Sequence, residues 1–324
     1  MKRREFCVAA TLSLACARTG HAADAADGYP NRPIRLVVGF PPGGGVDIIG
    51  RLIADPMSQQ MGQPVVVENR PGANGNVALE LTARSPGDGY SILIGGNGVA
   101  TNSVLYSKAG YDLQRDFVAV AATGYAPLVI VVSGESTAKS LRNIVDMGRK
   151  PGTVTYATSG SGSAGHLASE MLKDAAKADF THVPYKGGAP ALVDLVANRV
   201  TFMLVDPGQA MPFIRSGKLR VLAIGGPTRS KLFPDVPTIA ESGYPDVSAI
   251  QWWGVIAPAA TPAPIVARLN SEINRALTLP ASQARMAELG ITAEPQTPQQ
   301  FDALMKSTYG RAVDLVKRVG IRGE

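Results

Sequence analysis

The chain has 324 residues, of which 45% are hydrophobic and 18% are charged. This composition excludes a disordered chain, and the length allows one large domain or two medium ones. The net charge of +6 falls to +3 beyond residue 23, because the first 23 residues hold four basic side chains and one acidic one. So mild a charge removes the main support for nucleic-acid binding.

Residues 1–25 have the pattern of an export signal peptide that is removed from the mature protein. Lys2-Arg3-Arg4 is a basic start, and Phe6–Ala17 is an apolar run too short to span a bilayer. Arg3-Arg4-Glu5-Phe6 also resembles a twin-arginine signal, so the export route stays open. Both cysteines, Cys7 and Cys16, lie in this segment. We therefore expect a mature chain with no disulfide and no thiolate metal site.

The first third of the mature chain alternates strands with helices. The predicted strands are Ile34–Phe40, Val65–Asn69 and Tyr90–Ile94, and the helices between them are Asp47–Met61 and Val77–Ala83. Pro56 lies inside the first helix and is predicted to kink or split it. This alternation indicates a parallel sheet covered by helices.

A second series of strands and helices begins near Leu128. Its predicted strands are Leu128–Val132, Thr153–Thr158, Phe180–Val183, Val200–Val205 and Arg220–Ile224. Several of these strands open into loops rich in glycine or proline that precede helices. A final strand, Trp252–Ala257, is followed by two helices, Pro264–Leu277 and Pro298–Arg318, around a short strand near Ile291–Glu294.

Two α/β units with a C-terminal return predict two lobes with a ligand cleft between them. Residues 29–126 together with 252–324 are expected to form lobe 1, and residues 127–251 lobe 2. Ligands of such sheets bind outside the carboxyl ends of the strands. We therefore expect the binding residues in the loops that follow the strands.

The loop Gly43-Gly44-Gly45 joins the first strand to the first helix. A dinucleotide fingerprint that begins at Gly43 needs glycine at 48, which is Ile48, and a phosphate loop that begins at Gly39 lacks its lysine. Bare backbone N–H groups at a helix N-terminus instead favour an anion. Simple packing of the strand against the helix is the alternative. Asp47 is interpreted as a helix-capping residue or as a ligand contact.

The loop Ser159-Gly160-Ser161-Gly162-Ser163 precedes another predicted helix. It does not match the nucleophile elbow of hydrolases, because the first glycine of that motif is missing at each serine. Its hydroxyl and N–H groups are suited to donate to an anion, and a polar loop with a helix cap is the alternative. His166 follows the loop, either near the cleft or as a packing residue.

The remaining candidates follow other predicted strands. Asp206 ends an apolar strand and is expected at the same rim of the cleft, and Asn97 follows the third strand in a loop of glycines. Only His166 and His182 remain in the mature chain, which is a weak basis for a metal site. We expect no metal and no cofactor.

Six segments, taken together, resemble the extracytoplasmic solute receptors of tripartite tricarboxylate transporters, the Bug or TctC-like receptors. They run in the expected order across nearly the whole mature chain: Tyr29–Asp47, Gly62–Gly72, Pro86–Tyr90, Val183–Gly187, Ser216–Arg220 and Phe233–Thr238. The resemblance implies a periplasmic, two-lobed α/β binding protein of type II (Venus flytrap) that binds small organic acids.

Carried onto this sequence, the resemblance implies a ligand carboxylate held between the glycine and serine loops. The implied contacts are Phe40, Gly43, Gly44, Asp47, Ser159, Gly160, Ser161, Ser163, His166 and, as a looser match, Asp206. Asn74 and the stretch Val205–Gln209 differ from the residues that are usual in the family, and the second of these lies at the rim of the predicted cleft. The end of the ligand away from its carboxylate is therefore the least predictable.

The expected function is capture of the ligand by a monomeric receptor, without catalysis, for the two membrane components of a transporter. One alternative is a periplasmic hydrolase that uses Ser161 or Ser163 with His166. Another is a receptor that signals to a membrane kinase when it is loaded. The sequence does not separate uptake from signalling.

Overall fold

A computed structural model describes residues 28–106 and 109–321, and its strands form two five-stranded sheets. The first sheet has the order β2-β1-β3-β10-β4 and contains β1 (Ile34–Val38), β2 (Val65–Asn69), β3 (Ser91–Gly96), β4 (Phe117–Pro127) and β10 (Ile250–Pro258). The second sheet has the order β7-β6-β8-β5-β9 and contains β5 (Val129–Ser133), β6 (Thr155–Thr158), β7 (Thr181–Pro184), β8 (Phe202–Val205) and β9 (Leu219–Ile224).

Helices cover both faces of each sheet. The helices of the first lobe are α1 (Gly45–Met61), α2 (Asn76–Ala83), α3 (Gly98–Leu105), α4 (Leu113–Asp116), α9 (Ala263–Thr278), α10 (Pro280–Glu288) and α11 (Pro298–Val319). Those of the second lobe are α5 (Leu141–Gly148), α6 (Ala164–Ala176), α7 (Gly188–Val196) and α8 (Pro207–Arg215). The two-lobed α/β fold predicted from the sequence is confirmed.

Buried side chains on both faces of each strand explain this layering. In β1, Leu36 and Val38 pack against α1 on one face, while Val37 packs against α2 and α3 on the other. A strand buried on both faces reads as a continuous apolar run, as this one does. In α1, Ile49, Ile53 and Met57 are fully buried at a spacing of four residues, so one stripe of the helix faces the sheet.

Both sheets are mixed. The first three strands are parallel to one another, as their alternation with helices predicted, but the antiparallel strands beside them were not predicted. β10 is antiparallel to β3 and β4, and β5 is antiparallel to β8 and β9. The chain leaves the first sheet through β4 and returns to it through β10, so these neighbouring strands run in opposite directions. Only the pairs within the βαβ units are parallel.

Two local predictions differ from the structure, and some elements were not predicted. Pro56 does not split α1, which runs without a break to Gly62, because the buried stripe holds both halves of the helix on the sheet. The strand expected near Ile291–Glu294 is a single bridge between Thr292 and Tyr125. The long strand β4 and the helices α3 and α10 were not predicted.

The chain crosses between the lobes next to Leu128 and Ala249. The N–H group of Leu128 donates to the carbonyl of Ala249 at 2.8 Å, and the N–H group of Gly225 donates to the carbonyl of Leu128 at 2.7 Å. The two crossings therefore lie side by side and are bonded to each other. A pair of adjacent extended segments is a suitable hinge for lobes that close on a ligand.

Candidate functional site

A cavity of about 60 Å³ lies between the lobes at the carboxyl ends of their strands. Its lining consists of Phe40, Pro41, Gly44, Gly45, Val46, Asn74, Gly96, Asn97, Gly98, Ser159, Ser163, Ala164, Gly187, Gly188, Ala189, Asp206, Gln209, Gln251 and Trp253. Both sheets contribute loops to it, as expected for α/β lobes that face each other. Among the described residues that line it there is no lysine, arginine or histidine.

Five helices begin at this cavity. Gly45 starts α1, Gly98 starts α3, Ala164 starts α6, Gly188 starts α7, and Asp206 is the N-cap of α8. The first N–H groups of a helix have no acceptor within it, and the helix dipole makes that end positive. The cavity can therefore bind an anion through backbone groups alone.

The glycine loop is held in place by the side chain of Asp47. The carboxylate of Asp47 accepts from the Gly43 N–H at 2.9 Å, from Nε of Arg51 at 3.0 Å and from Nδ2 of Asn69 at 2.9 Å. Burial by itself raises the pKa of Asp47, but these hydrogen bonds outweigh it, and the net pKa is lowered. Asp47 and Gly43 do not line the cavity, and the Asp47 carboxylate is already fully bonded. Their assignment as ligand contacts stays a prediction.

The serine loop presents Ser159 and Ser163 to the cavity. Ser163 caps α6, and its Oγ accepts from the His166 N–H at 3.3 Å. Gly160 and Ser161 instead line a neighbouring cavity. The Ser161 carbonyl accepts from the Tyr106 hydroxyl of the other lobe at 3.1 Å. The loop therefore both borders the cavity and holds the two lobes together.

His166 lies behind the serine loop, where it does not line the cavity. Its Nδ1 accepts from the Gly162 N–H at 3.0 Å, and its ring stacks on His182 at 4.0 Å between centroids. Burial lowers the pKa of His166 to about 3 and that of His182 to about 4. Among the described residues, no hydrogen bond joins the His166 ring to a serine hydroxyl. These contacts favour the packing interpretation of His166, and its assignment as a ligand contact stays a prediction.

Asp206 reaches from the second lobe to the start of α1 in the first. It is only 7% exposed and accepts from the Gln209 N–H at 3.3 Å and from Gln209 Nε2. A Cβ added to Gly45 would lie 2.7 Å from Oδ2 of Asp206. Burial raises the pKa of Asp206. Asp206 was predicted as a contact from the sequence, but Gly45 and Gln209 were not, since their only signal is their place at helix starts after a strand.

Asn97 lines the cavity, but its side chain is hydrogen-bonded to the main chain of β10. Its Nδ2 donates to the Ile250 carbonyl at 3.1 Å, and its Oδ1 accepts from the Trp252 N–H at 2.9 Å. Trp253 walls the cavity, while Trp252 packs edge-on against Phe301. Asn97 therefore connects the cavity to the strand through which the chain returns to the first lobe.

Of the eleven predicted contacts, the structure brings six together. They are Phe40, Gly44, Asn97, Ser159, Ser163 and Asp206. Within residues 28–106 and 109–321, no group of three metal-ligating side chains could hold an ion. In the same ranges, no helix is long and apolar enough to cross a bilayer.

Residues 49–321 match the model of the tripartite tricarboxylate transporter family receptor. The chain belongs to this receptor family. The protein BugT of Bordetella pertussis is 37% identical over 317 residues, which cover 97% of this chain and 97% of that one. The resemblance drawn from the sequence is thus confirmed across nearly the whole chain. The family is one of solute-binding receptors and not of enzymes.

Solved structures share both the fold and its lobes. An R. palustris protein solved with adipate has a TM-score of 0.88 and 33% identity, with 91% of this receptor and 99% of that chain covered. MatC of Rhodopseudomonas palustris, solved with bound malate, has a TM-score of 0.84 and 32% identity, with 89% and 100% covered. BugD, another similar structure, is described as a periplasmic binding protein.

Proposed function

We propose that this receptor captures a small organic acid by its carboxylate, in the cavity between the lobes, and presents it to a tripartite tricarboxylate transporter. The observation that carries the proposal is the meeting of five helix N-termini around a cavity whose described lining contains no basic side chain. Structural relatives solved with adipate and with malate support the ligand class. The contacts proposed are Gly44, Gly45, Ser159, Ser163 and the first residues of α7.

Binding is proposed to act through closure of the lobes. Across the cleft, the Thr101 hydroxyl donates to the Gly162 carbonyl at 2.9 Å, and Pro41 lies against Gly187. These contacts join surfaces that a ligand must pass, so the lobes must separate to admit it and close to shield it. The closed surface is what the membrane components would recognise. We propose that the receptor works as a monomer in the periplasm after removal of residues 1–25, which lie outside the described residues.

A thermal-shift screen tests the carboxylate proposal. We expect succinate, malate or adipate to raise the melting temperature much more than their diamides do, because helix N-termini stabilise a negatively charged carboxylate far more than a neutral amide. At about 100 times Kd the native state gains ~2.7 kcal/mol, which corresponds to a shift of several degrees. Equal shifts by acids and amides would contradict the proposal. No shift at all, together with hydrolysis of a nitrophenyl ester, would favour the hydrolase.

The affinity for the acid should depend little on salt. No lysine, arginine or histidine of the part of the chain that the structure describes lines the cavity, so the ligand's charge is met by fixed backbone dipoles that mobile ions do not reach. We expect Kd to change by less than about threefold between about 20 mM and about 300 mM sodium chloride. Isothermal titration calorimetry measures this directly. A tenfold or greater loss of affinity would instead reveal a clamp of charged side chains.

A further inference from the structure

The cavity presents hydrogen-bond acceptors that the described part of the protein does not satisfy. Oδ1 of Asn74 and Oε1 of Gln209 are buried, and neither has a hydrogen-bond partner among the described residues. Asn74 is only 8% exposed, and both residues line the cavity. A buried acceptor without a donor is costly, so groups of this kind indicate a donor that comes from elsewhere.

The orientation of the Asn74 amide is set by its neighbour. Nδ2 of Asn102 donates to the main-chain carbonyl of Asn74 at 3.0 Å, so Oδ1 of Asn102 is an acceptor. It accepts from Nδ2 of Asn74 at 2.9 Å. Oδ1 of Asn74 is then left toward the second lobe, where a Cβ on Gly160 would lie 3.6 Å from it. An exchange of oxygen and nitrogen in Asn74 would place two acceptors together.

Gln209 is oriented in the same way by Asp206. Its Nε2 donates to Oδ2 of Asp206, which leaves Oε1 beside Gly188, where an added Cβ would overlap it. Asp206 itself is turned toward Gly45. The cavity thus has helix N–H groups that donate to an anion and, on both lobes, side-chain oxygens that require a donor. A ligand with a carboxylate alone would satisfy only the first set.

We propose that the ligand is a carboxylic acid that also carries a hydroxyl or an ammonium group, which donates to Gln209 Oε1 or Asn74 Oδ1. The inference rests on the proposed function and names the ligand class within it. An unsubstituted acid of the same length leaves both oxygens buried without a donor. A site built to bind a donor rejects the analogue that lacks it far more strongly than an apolar pocket rejects an added group.

Matched series of acids test the inference by isothermal titration calorimetry. Succinate, L-malate and L-aspartate differ only in hydrogen, hydroxyl or ammonium at one carbon, and adipate with 2-hydroxyadipate and 2-aminoadipate extends the comparison to a longer chain. At the chain length that binds best, we expect a substituted acid to bind about tenfold or more tightly than the unsubstituted one. The better of the hydroxyl and ammonium members identifies the donor.

The variant Gln209→Met shows whether the discrimination arises at this side chain. It keeps the side-chain volume but removes the oxygen, so we expect the ratio of the two affinities to fall at least about fivefold. The unsubstituted acid should change much less than the substituted one. Gln283→Met is the matched control, because Gln283 is exposed on α10, away from the cavity, and its ratio should equal that of the wild type.

The failure of the inference can be told apart from the failure of the proposed function. Acids that bind equally well with and without the donor overturn the inference and leave carboxylate capture intact. An unchanged ratio in Gln209→Met, together with an unchanged ratio in Asn74→Gly, also overturns it. Asn74 has φ +52°, which glycine adopts freely, so the second variant should fold. If no acid of either series binds, the proposed function fails as well.

Discussion

Replacement of Gly45 by alanine is expected to weaken binding of the carboxylate ligand by about tenfold to a hundredfold while the free protein stays folded. The new Cβ would lie 2.7 Å from Oδ2 of Asp206, an atom of the other lobe. Asp206 is buried and bonded to Gln209, so it has little room to move away. The overlap exists only when the lobes are closed, and it therefore acts on the ligand-bound state.

Calorimetry with the best acid measures the loss of affinity, and small-angle scattering with excess ligand shows whether the lobes still close. Gly310→Ala in α11 is the control, because nothing lies within 4 Å of a Cβ at that position. Alanine is a better helix former than glycine, so neither variant should unfold more easily without ligand. Wild-type affinity in Gly45→Ala would mean that the contact between Gly45 and Asp206 is not part of the bound state.

Acidification from pH 7 to pH 4.5 is expected to lower the free energy of unfolding by on the order of 4 kcal/mol, through His166 and His182. Their pKa values in the folded state are about 3 and about 4, below the ordinary value of 6.5, chiefly because burial disfavours the charged rings. As the pH falls, the histidines of the unfolded chain therefore bind protons before those of the folded protein do. Stability is complete above pH 6.5 and is lost as the pH falls toward the folded-state values.

Other titratable groups change the free energy of unfolding in different pH ranges or with the opposite sign. The pKa of Asp47 is lowered, so its contribution is lost only below its ordinary value of 3.8. The pKa of Asp206 is raised by burial, so protonation of Asp206 on acidification stabilises the folded state and partly offsets the histidines. The interval from pH 6.5 to pH 4.5 therefore reports mainly on the histidine pair.

Urea unfolding followed by circular dichroism at several pH values measures this dependence. In His166→Asn the amide oxygen can still accept from the Gly162 N–H, but the side chain no longer binds a proton. We expect this variant to lose about half of the pH dependence. An unfolding free energy that stays constant from pH 7 to pH 4.5 in the wild type would show that the rings are not held neutral.

Much of the fold could be predicted because its signals are local. Alternating apolar runs and glycine turns predicted β1, β2 and the start of α1 to within a few residues, since a buried strand and an amphipathic helix each follow a short period. The strand β4 was missed, because four of its eleven residues are alanine and it also contains Gly124 and Pro127, which are depleted in strands. Its direction, and that of β10, depends on where the chain crosses between the lobes.

In the candidate site, too, the local features were predictable from the sequence and the contacts between distant residues were not. The sequence by itself determined that a glycine loop and a serine loop would each precede a helix, and this placed Gly44, Ser159 and Ser163 at the cavity. It did not reveal that the Asp47 carboxylate accepts hydrogen bonds from Arg51 and Asn69. Both partners of Asp47 lie in the first lobe, as Asp47 does, but Asn69 is 22 residues away in the sequence.

Only the tertiary structure decided which side chains face across the cleft. Asp206 meets Gly45 although 161 positions separate them, and Asn74 is turned toward Gly160 of the opposite lobe. His166 is directed into the second lobe because its ring stacks on His182 of the neighbouring strand β7. Local periodicity states which residues are buried, but the partner of a buried polar group is chosen by the packing of distant segments.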